Sequence, residues 1–277
     1  MPEAQAPWGA SYRLVASEKW RAKSAAMGRQ VTLALVDYAA PQPGMAVLDL
    51  ATGTGEPAIT LASRVGPAGH VTALDQSAEL LKIAEERARE RRLTNITTCQ
   101  ADAHKLPFPT ASFDLITCRF GVMFFREQAL RETLRVLKPG CRACFVVWGP
   151  FEQPYWASMI GIVHKHVGGP MPPAGQNPFE FSQPGSLSAE LRRAGFDPVE
   201  EETRTVPWTW PGTPQEVWEQ IREVSAPFRD MLQRVPAEKW DTINREVMTA
   251  VRRYVRDDEV QFGAVVVLAS GTKPQGG

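Results

Sequence analysis

A chain of 277 residues with 43% hydrophobic content can bury a full core, and its length suits one large α/β domain or one domain plus a cap. Its 31 Lys and Arg balance 31 Asp and Glu, so charge gives no reason to expect nucleic acid or an anionic membrane as partner. No run approaches the ~18 to 20 apolar residues that span a bilayer. Met1 to Gln5 lacks the charge-then-apolar pattern of a secretory signal, and Cys99, Cys118, Cys141 and Cys144 are too few and too scattered for a disulfide framework; a reduced, cytoplasmic protein is expected.

In chain order, residues 1 to 10 read as frayed. Val15, Trp20, Met27, Val31, Leu35 and Tyr38 then fall at helical spacings, which predicts one or two amphipathic helices before Pro41-Gln42-Pro43-Gly44 turns the chain. Met45 to Leu50 reads as a first strand and ends in Ala51-Thr52-Gly53-Thr54-Gly55. Glu56-Pro57 opens a helix that buries Ile59, Leu61, Ala62 and Val65. His70 to Leu74 is the second strand, and Asp75 follows it. Ser77 caps a helix with Leu80, Leu81, Ala84 and Ala88 on its buried face, while Arg87, Arg89, Arg91 and Arg92, alternating with Glu85, Glu86 and Glu90, read as solvated.

Asn95 to Gln100, Phe113 to Cys118 and Arg142 to Trp148 read as the third, fourth and fifth strands, with a helix over Glu127 to Leu137 and a turn at Lys138-Pro139-Gly140. Helices are expected near Trp156 to Val167 and Leu187 to Ala194, and a strand at Val199 to Val206 before Pro207-Trp208-Thr209-Trp210-Pro211-Gly212. Val217, Ile221, Val224 and Phe228 form one apolar helical stripe; Trp240, Ile243, Val247, Val251 and Tyr254 form another. Gln261 to Ala269 is the last strand, and Gly271 to Gly277 reads as a disordered tail. Alternation of strands and helices implies a mostly parallel sheet with helices on both faces, whose ligand sits beyond the carboxyl ends of the strands.

The glycine loop admits two chemistries. Gly53-x-Gly55-x-x-Ala58 with Asp75 about 20 residues on satisfies a dinucleotide fingerprint. Against it stand Asp49 inside the first strand, Asp102 after the third, and an ending of strand, helices and strand in place of a second βαβ half. Those features, with Leu-Asp-Leu-Ala-Thr-Gly-Thr-Gly, Leu-Asp-Gln-Ser, Ala-Asp-Ala-His-Lys-Leu-Pro-Phe, Ser-Phe-Asp-Leu-Ile and Leu-Lys-Pro-Gly in this order, resemble class I S-adenosylmethionine-dependent methyltransferases, in particular the UbiE-like and type 11 group.

The resemblance implies a single Rossmann-like domain over 1–277. Its seven-stranded, mostly parallel sheet would end in an antiparallel last strand, with a helical flap over 11–40 and a helical lid inserted at 213–257. It implies S-adenosylmethionine as cofactor and S-adenosylhomocysteine as product. Asp49 and the backbone of Ala51, Thr52, Gly53 and Gly55 would face the methionine end; Asp75, with Gln76 beside it, would hold the ribose; Asp102 and Ala103 the adenine; Arg119 and Phe120 would lie near the sulfonium. Ala51 replaces the family's first glycine.

The acceptor is expected to be a small apolar or aromatic molecule, with Tyr12, Trp20, Trp208 and Trp210 as candidate pocket residues against a reading as core or lid packing. No catalytic base is assigned. His164 and His166 are the candidates against surface roles, and His104 is a poor one. Cys141-x-x-Cys144 lacks the second pair that zinc needs and enters a strand, so its role is structural and no metal is expected. An apolar lid equally suits a homodimer surface. The alternatives are an NAD-dependent oxidoreductase on the same loop and a SAM-binding module without catalysis.

Overall fold

In the computed structural model, which describes residues 18–171 and 177–275, the apolar run before the glycine turn is an inner strand of a sheet. β1 (Ala46–Leu50) buries Val47, Leu48, Asp49 and Leu50 in succession, as a strand covered on both faces must. Around it lie β2 (His70–Asp75), β3 (Ile96–Gln100), β4 (Phe113–Arg119), β5 (Leu137–Trp148), β6 (Val199–Trp210) and β8 (Glu259–Thr272), in the order β3-β2-β1-β4-β5-β8-β6; the two-residue β7 (Val255–Arg256) pairs with β8 off this path. The pairs β1–β2, β1–β4, β2–β3 and β4–β5 are parallel, and β5–β8 is antiparallel. The mostly parallel sheet with an antiparallel terminal strand is the one the sequence predicts. Strand order reverses beside β1, with β2 on one flank and β4 on the other, and such a switch point opens a crevice at the strands' carboxyl ends.

The chain divides into two units. The larger contains Val31–Gly149, Glu180–Arg204 and Val266–Gly277. Its helices follow the predicted stripes: α2 (Ala58–Val65) buries Ile59, Leu61, Ala62 and Val65, and α3 (Ala78–Glu90) buries Leu80, Leu81, Ala84 and Ala88 behind the Ser77 cap. α4 (Glu127–Val136) packs on α7 (Ser186–Ala194).

The smaller unit contains the residues up to Gln30 with Pro150–Phe179 and Thr205–Val265. α5 (Pro154–Ala157), α6 (Ile160–Val167), α8 (Pro214–Val224), α9 (Arg229–Gln233) and α10 (Trp240–Val251) fall in it. Its interior is aromatic: Trp156 lies 5.6 Å from both Phe179 and Phe228, and Tyr155 meets Trp208 and Phe262 edge-on. Such pairs add ~0.5–1.5 kcal/mol each beyond the area they bury. The first helix, α1 (Glu18–Ala39), is continuous from Glu18, with Trp20, Met27, Val31 and Leu35 buried. Tyr12, Val15 and the segment read as frayed lie outside the described residues.

Several boundaries differ from the sequence reading. Lys138-Pro139-Gly140 does not precede β5 but lies within it: the register jumps from Phe113↔Leu137 to Leu115↔Arg142, so these residues form an irregularity whose Lys138 pairs with Asp114 at 2.7 Å. β6 runs through Pro207 to Trp210, because it ends the strand order and an edge strand tolerates a residue without N–H. The helix expected over Trp156 to Val167 is two, and the insertion carries three helices in place of two. The tail is partly structured: Gly271 and Thr272 belong to β8, Lys273 N–H donates to Cys141 O, and its Nζ reaches the carbonyls of Arg135 and Leu137. No helix among the described residues is long and apolar enough to cross a membrane.

Gly271 shows how tightly this last strand is packed. A Cβ there would lie 2.7–2.9 Å from side-chain atoms of the buried Phe196. Gly271→Ala is expected to lose about 1–3 kcal/mol in urea unfolding; an unchanged midpoint would show that Phe196 moves freely.

Candidate functional site

The turn after β1 is built from residues in left-handed backbone: Ala51 at φ +52°, Gly53 at +56° and Gly55 at +102°. Gly55 is required by packing, since a Cβ would come within 2.8 Å of Ile59 and 3.1 Å of Ala84. Gly53 is different, for no heavy atom lies within 4 Å of its missing Cβ, leaving room for a ligand to approach the backbone. Ala51 explains the departure from glycine: it takes the left-handed conformation at a cost of roughly 1–2 kcal/mol. Gly121, after β4, lies so close that a Cβ would meet Ala51 Cβ at 2.7 Å.

Three anchors hold this turn. Thr52 N–H donates to Leu74 O at 2.9 Å, and Gly53 N–H donates to Asp75 Oδ2 at 2.9 Å. From α3, Arg87 donates to Thr54 O at 2.6 Å and lies 3.5 Å from Glu56. Arg87 is therefore not on a solvated face as expected: its side chain is only 12% exposed, and it locks the loop. Its signal in the sequence was faint, since it shares the i, i+3 spacing of Ala84 and sits among arginines that are exposed.

The three acids lie at or just beyond the carboxyl ends of adjacent strands. Asp75 accepts from Gly53 N–H through one oxygen and from Ser77 N–H through the other, both at 2.9 Å. Burial pushes its carboxyl up, with these backbone donors acting against the rise. Asp102 is half exposed; burial raises its carboxyl, but the His104 backbone N–H, the His104 ring and Gln76 outweigh that and hold it below its ordinary value. Gln76 thus bridges the ends of β2 and β3, donating to Asp102 Oδ1 at 3.1 Å. Ala103, beside Asp102, is buried.

Asp49 is fully buried. Its Oδ1 accepts from Thr117 Oγ1 at 2.6 Å, and its Oδ2 is buried. Desolvation raises the Asp49 carboxyl to about 7, with Thr117, Thr52 and the Arg119 charge acting against the rise. Thr117 escaped the sequence reading, although it stands opposite Asp49 in the β1–β4 register. Arg119 donates to Thr32 Oγ1 at 3.0 Å, and Phe120, at φ +57°, stacks on Trp148 with centroids 4.3 Å apart.

A methyltransferase-domain family model matches residues 47–140, the segment holding the loop and all three acids. A demethylmenaquinone methyltransferase of Listeria welshimeri is 38% identical over 128 residues, covering 46% of this chain and 54% of that protein. A ubiquinone/menaquinone biosynthesis C-methyltransferase UbiE of Ectopseudomonas mendocina is 43% identical over 110 residues, covering 39% and 43%. Over residues 47–140 the chain is a methyltransferase domain of the class I S-adenosylmethionine-dependent kind. It spans about half the length of the curated relatives it matches. In fold it is similar to a phosphoethanolamine N-methyltransferase 2 of Haemonchus contortus solved with S-adenosyl-L-methionine, with a TM-score of 0.59 at 17% identity over 99% of this chain and 61% of that one.

His164 and His166 lie in the smaller unit, where the first ring meets Gly169 O and the second Glu246, each at 3.0 Å. His104 Nδ1 pairs with Asp102 at 2.7 Å, while its Nε2 accepts from Arg126 N–H, so both ring nitrogens are engaged. Trp20 and Trp208 are core residues of the smaller unit, Trp20 packing on Trp210 and donating to Glu223. Tyr12 lies outside the described residues. Cys141 and Cys144 are free thiols, the buried Cys144 pushed up to about 12 by desolvation.

The raised Asp49 carboxyl fixes a sign. Below its unfolded value of 3.8 both states are protonated and stability is full; between 3.8 and about 7 the unfolded state gives up its proton while the native state keeps its own, so up to about 4 kcal/mol has been lost once pH has risen through about 7. Asp49→Asn is therefore expected to gain about 2–3 kcal/mol on wild type between pH 5 and pH 8 in urea unfolding. A difference that does not vary with pH would remove this assignment.

Proposed function

We propose that this chain moves a methyl group from S-adenosylmethionine to a small apolar or aromatic acceptor. The observation that carries the reading is the set of Asp49, Asp75 and Asp102 at the ends of three adjacent parallel strands around one glycine loop. The donor set fits the cofactor. Each Asp75 oxygen, with one N–H bound, keeps a lone pair for a ribose hydroxyl. Asp102, half exposed, can take the adenine amino group beside Ala103.

When bound, the cofactor supplies a methyl group on a sulfonium, a good leaving group for in-line displacement. The chain's task is then mainly alignment. The backbone of Ala51 to Gly55 is held by Leu74, Asp75 and Arg87, so it need not be ordered on binding. Arg119, fixed by Thr32, and Phe120, flat on Trp148, would border the methionine end with one cation and one apolar slab. An acceptor without an acidic proton needs no base, and we give His164 and His166 none of that work. The flap 11–40 and the insertion 213–257 are assigned to acceptor selection from the apolar character of their sequence; Trp20 and Trp218 within them are taken up by core packing.

Calorimetry with S-adenosylhomocysteine and NAD tests the reading. One site for the first and no heat with NAD is expected; the reverse would turn the assignment to an oxidoreductase. Asp75→Asn should weaken S-adenosylhomocysteine at least tenfold, the scale of a lost hydrogen bond to a charged group, and Asp102→Asn several-fold. Because Asp75 also holds the loop, melting curves accompany the titrations, and unchanged affinity in both variants would remove the nucleoside assignment.

A further inference from the structure

The Asp102 carboxylate is bonded on one side only. Its Oδ1 accepts from the His104 backbone N–H at 2.9 Å, from the His104 ring at 2.7 Å and from Gln76 at 3.1 Å. A carboxylate oxygen offers about two lone pairs, so this one is saturated. None of the described residues donates to Oδ2, and the side chain is half exposed, which leaves one oxygen of the acid open to a ligand.

The partners of the His104 ring fix its tautomer. Arg126 N–H can only donate, and it donates to Nε2 at 3.1 Å, so that nitrogen carries no hydrogen. The ring hydrogen therefore sits on Nδ1, facing the carboxylate. Arg126 is the residue before α4, and Gln128 on that helix donates to the His104 carbonyl at 2.9 Å. Phe125 meets the imidazole edge-on with centroids 6.0 Å apart. These residues all belong to the larger unit, so a ring held by the start of α4 sets the direction of an acid beyond β3. Without the ring, only the backbone N–H and Gln76 would resist rotation of the carboxyl group.

We infer that His104 is a positioning residue for nucleoside recognition: as the Nδ1–H tautomer held by Arg126, it pins Oδ1 of Asp102 and leaves Oδ2 as the oxygen offered to a ligand. This deepens the proposed cofactor site and rests on that reading. His104 acts only through Asp102 and touches no ligand itself. An ionised Oδ2 accepts hydrogen bonds and has none to give, so it favours an exocyclic amine and repels a carbonyl oxygen. A 6-aminopurine is then preferred over a 6-oxopurine, and the preference grows with the firmness of the hold on the carboxylate.

The test is calorimetry of the full chain with S-adenosylhomocysteine and its deaminated form, S-inosylhomocysteine, on wild type, His104→Asn and His104→Gln. Asparagine places its amide where Nδ1 stands and keeps a donor for Asp102. Glutamine places its amide where Nε2 stands, so it keeps an acceptor for Arg126 N–H and loses that donor. Wild type should prefer the adenosyl ligand about tenfold or more. His104→Asn should keep this ratio to within about twofold, and His104→Gln should lower it about threefold or more, through weaker adenosyl binding. A histidine that only braces the start of α4 gives the opposite order, with glutamine the milder change. That order, equal ratios in all three proteins, or a wild type without preference would overturn the inference and leave the cofactor reading intact. Absence of S-adenosylhomocysteine binding to wild type would overturn both. Should melting curves show either variant unfolded, assigned proton–nitrogen NMR spectra of the liganded wild type decide: the His104 ring must carry its hydrogen on Nδ1, and the other tautomer would overturn the inference.

Discussion

The Asp75 carboxylate ties three things together: the end of β2, the glycine loop after β1 through Gly53 N–H, and the start of α3 through Ser77 N–H. Neither partner would hold its place alone. Gly53 and Ala51 occupy left-handed backbone that the chain does not favour, at roughly 1–2 kcal/mol for the alanine. Hydrogen bonds to a charged group contribute about 1.5–3 kcal/mol each, so two of them, with Arg87 on Thr54, outweigh that cost. The loop is consequently formed before any ligand arrives, and affinity is not drained by ordering it.

The same carboxylate depends on topology. Parallel pairing of β1 with both β2 and β4 brings the ends of all three strands to one side, and the reversal of strand order there keeps helices from closing over the gap. Gly121 then lets the chain leaving β4 approach Ala51 to near contact. A side chain at 121 would push β4's exit, and with it Arg119 and Phe120, away from the loop.

What the sequence revealed follows from how local each signal is. The strand ends with their acids, the helical stripes and the Ser77 cap depend on neighbours within a few residues, and all were legible. Features set by distant pairing were not. Pro207 reads as a break until β6 is known to be an edge strand, after which the alternate burial of Val206, Trp208 and Trp210 is plain. Lys138-Pro139-Gly140 reads as a turn until Asp114 supplies a partner for the lysine across the register jump. Arg87 looked solvated because its acceptor is a carbonyl 33 residues away, and Thr117 was silent because only the β1–β4 register puts it against Asp49.

Asp49 raises the question of why an acid should stand in a buried strand at all. An asparagine would fill the space and spare the protein an ionisable group, and a threonine would meet Thr117 as well. With Thr117 as a donor and burial keeping water away, the acid holds its proton well above the ordinary carboxylate range. The cost falls on the unliganded protein at neutral and higher pH, where it lowers stability without touching the packing of the sheet.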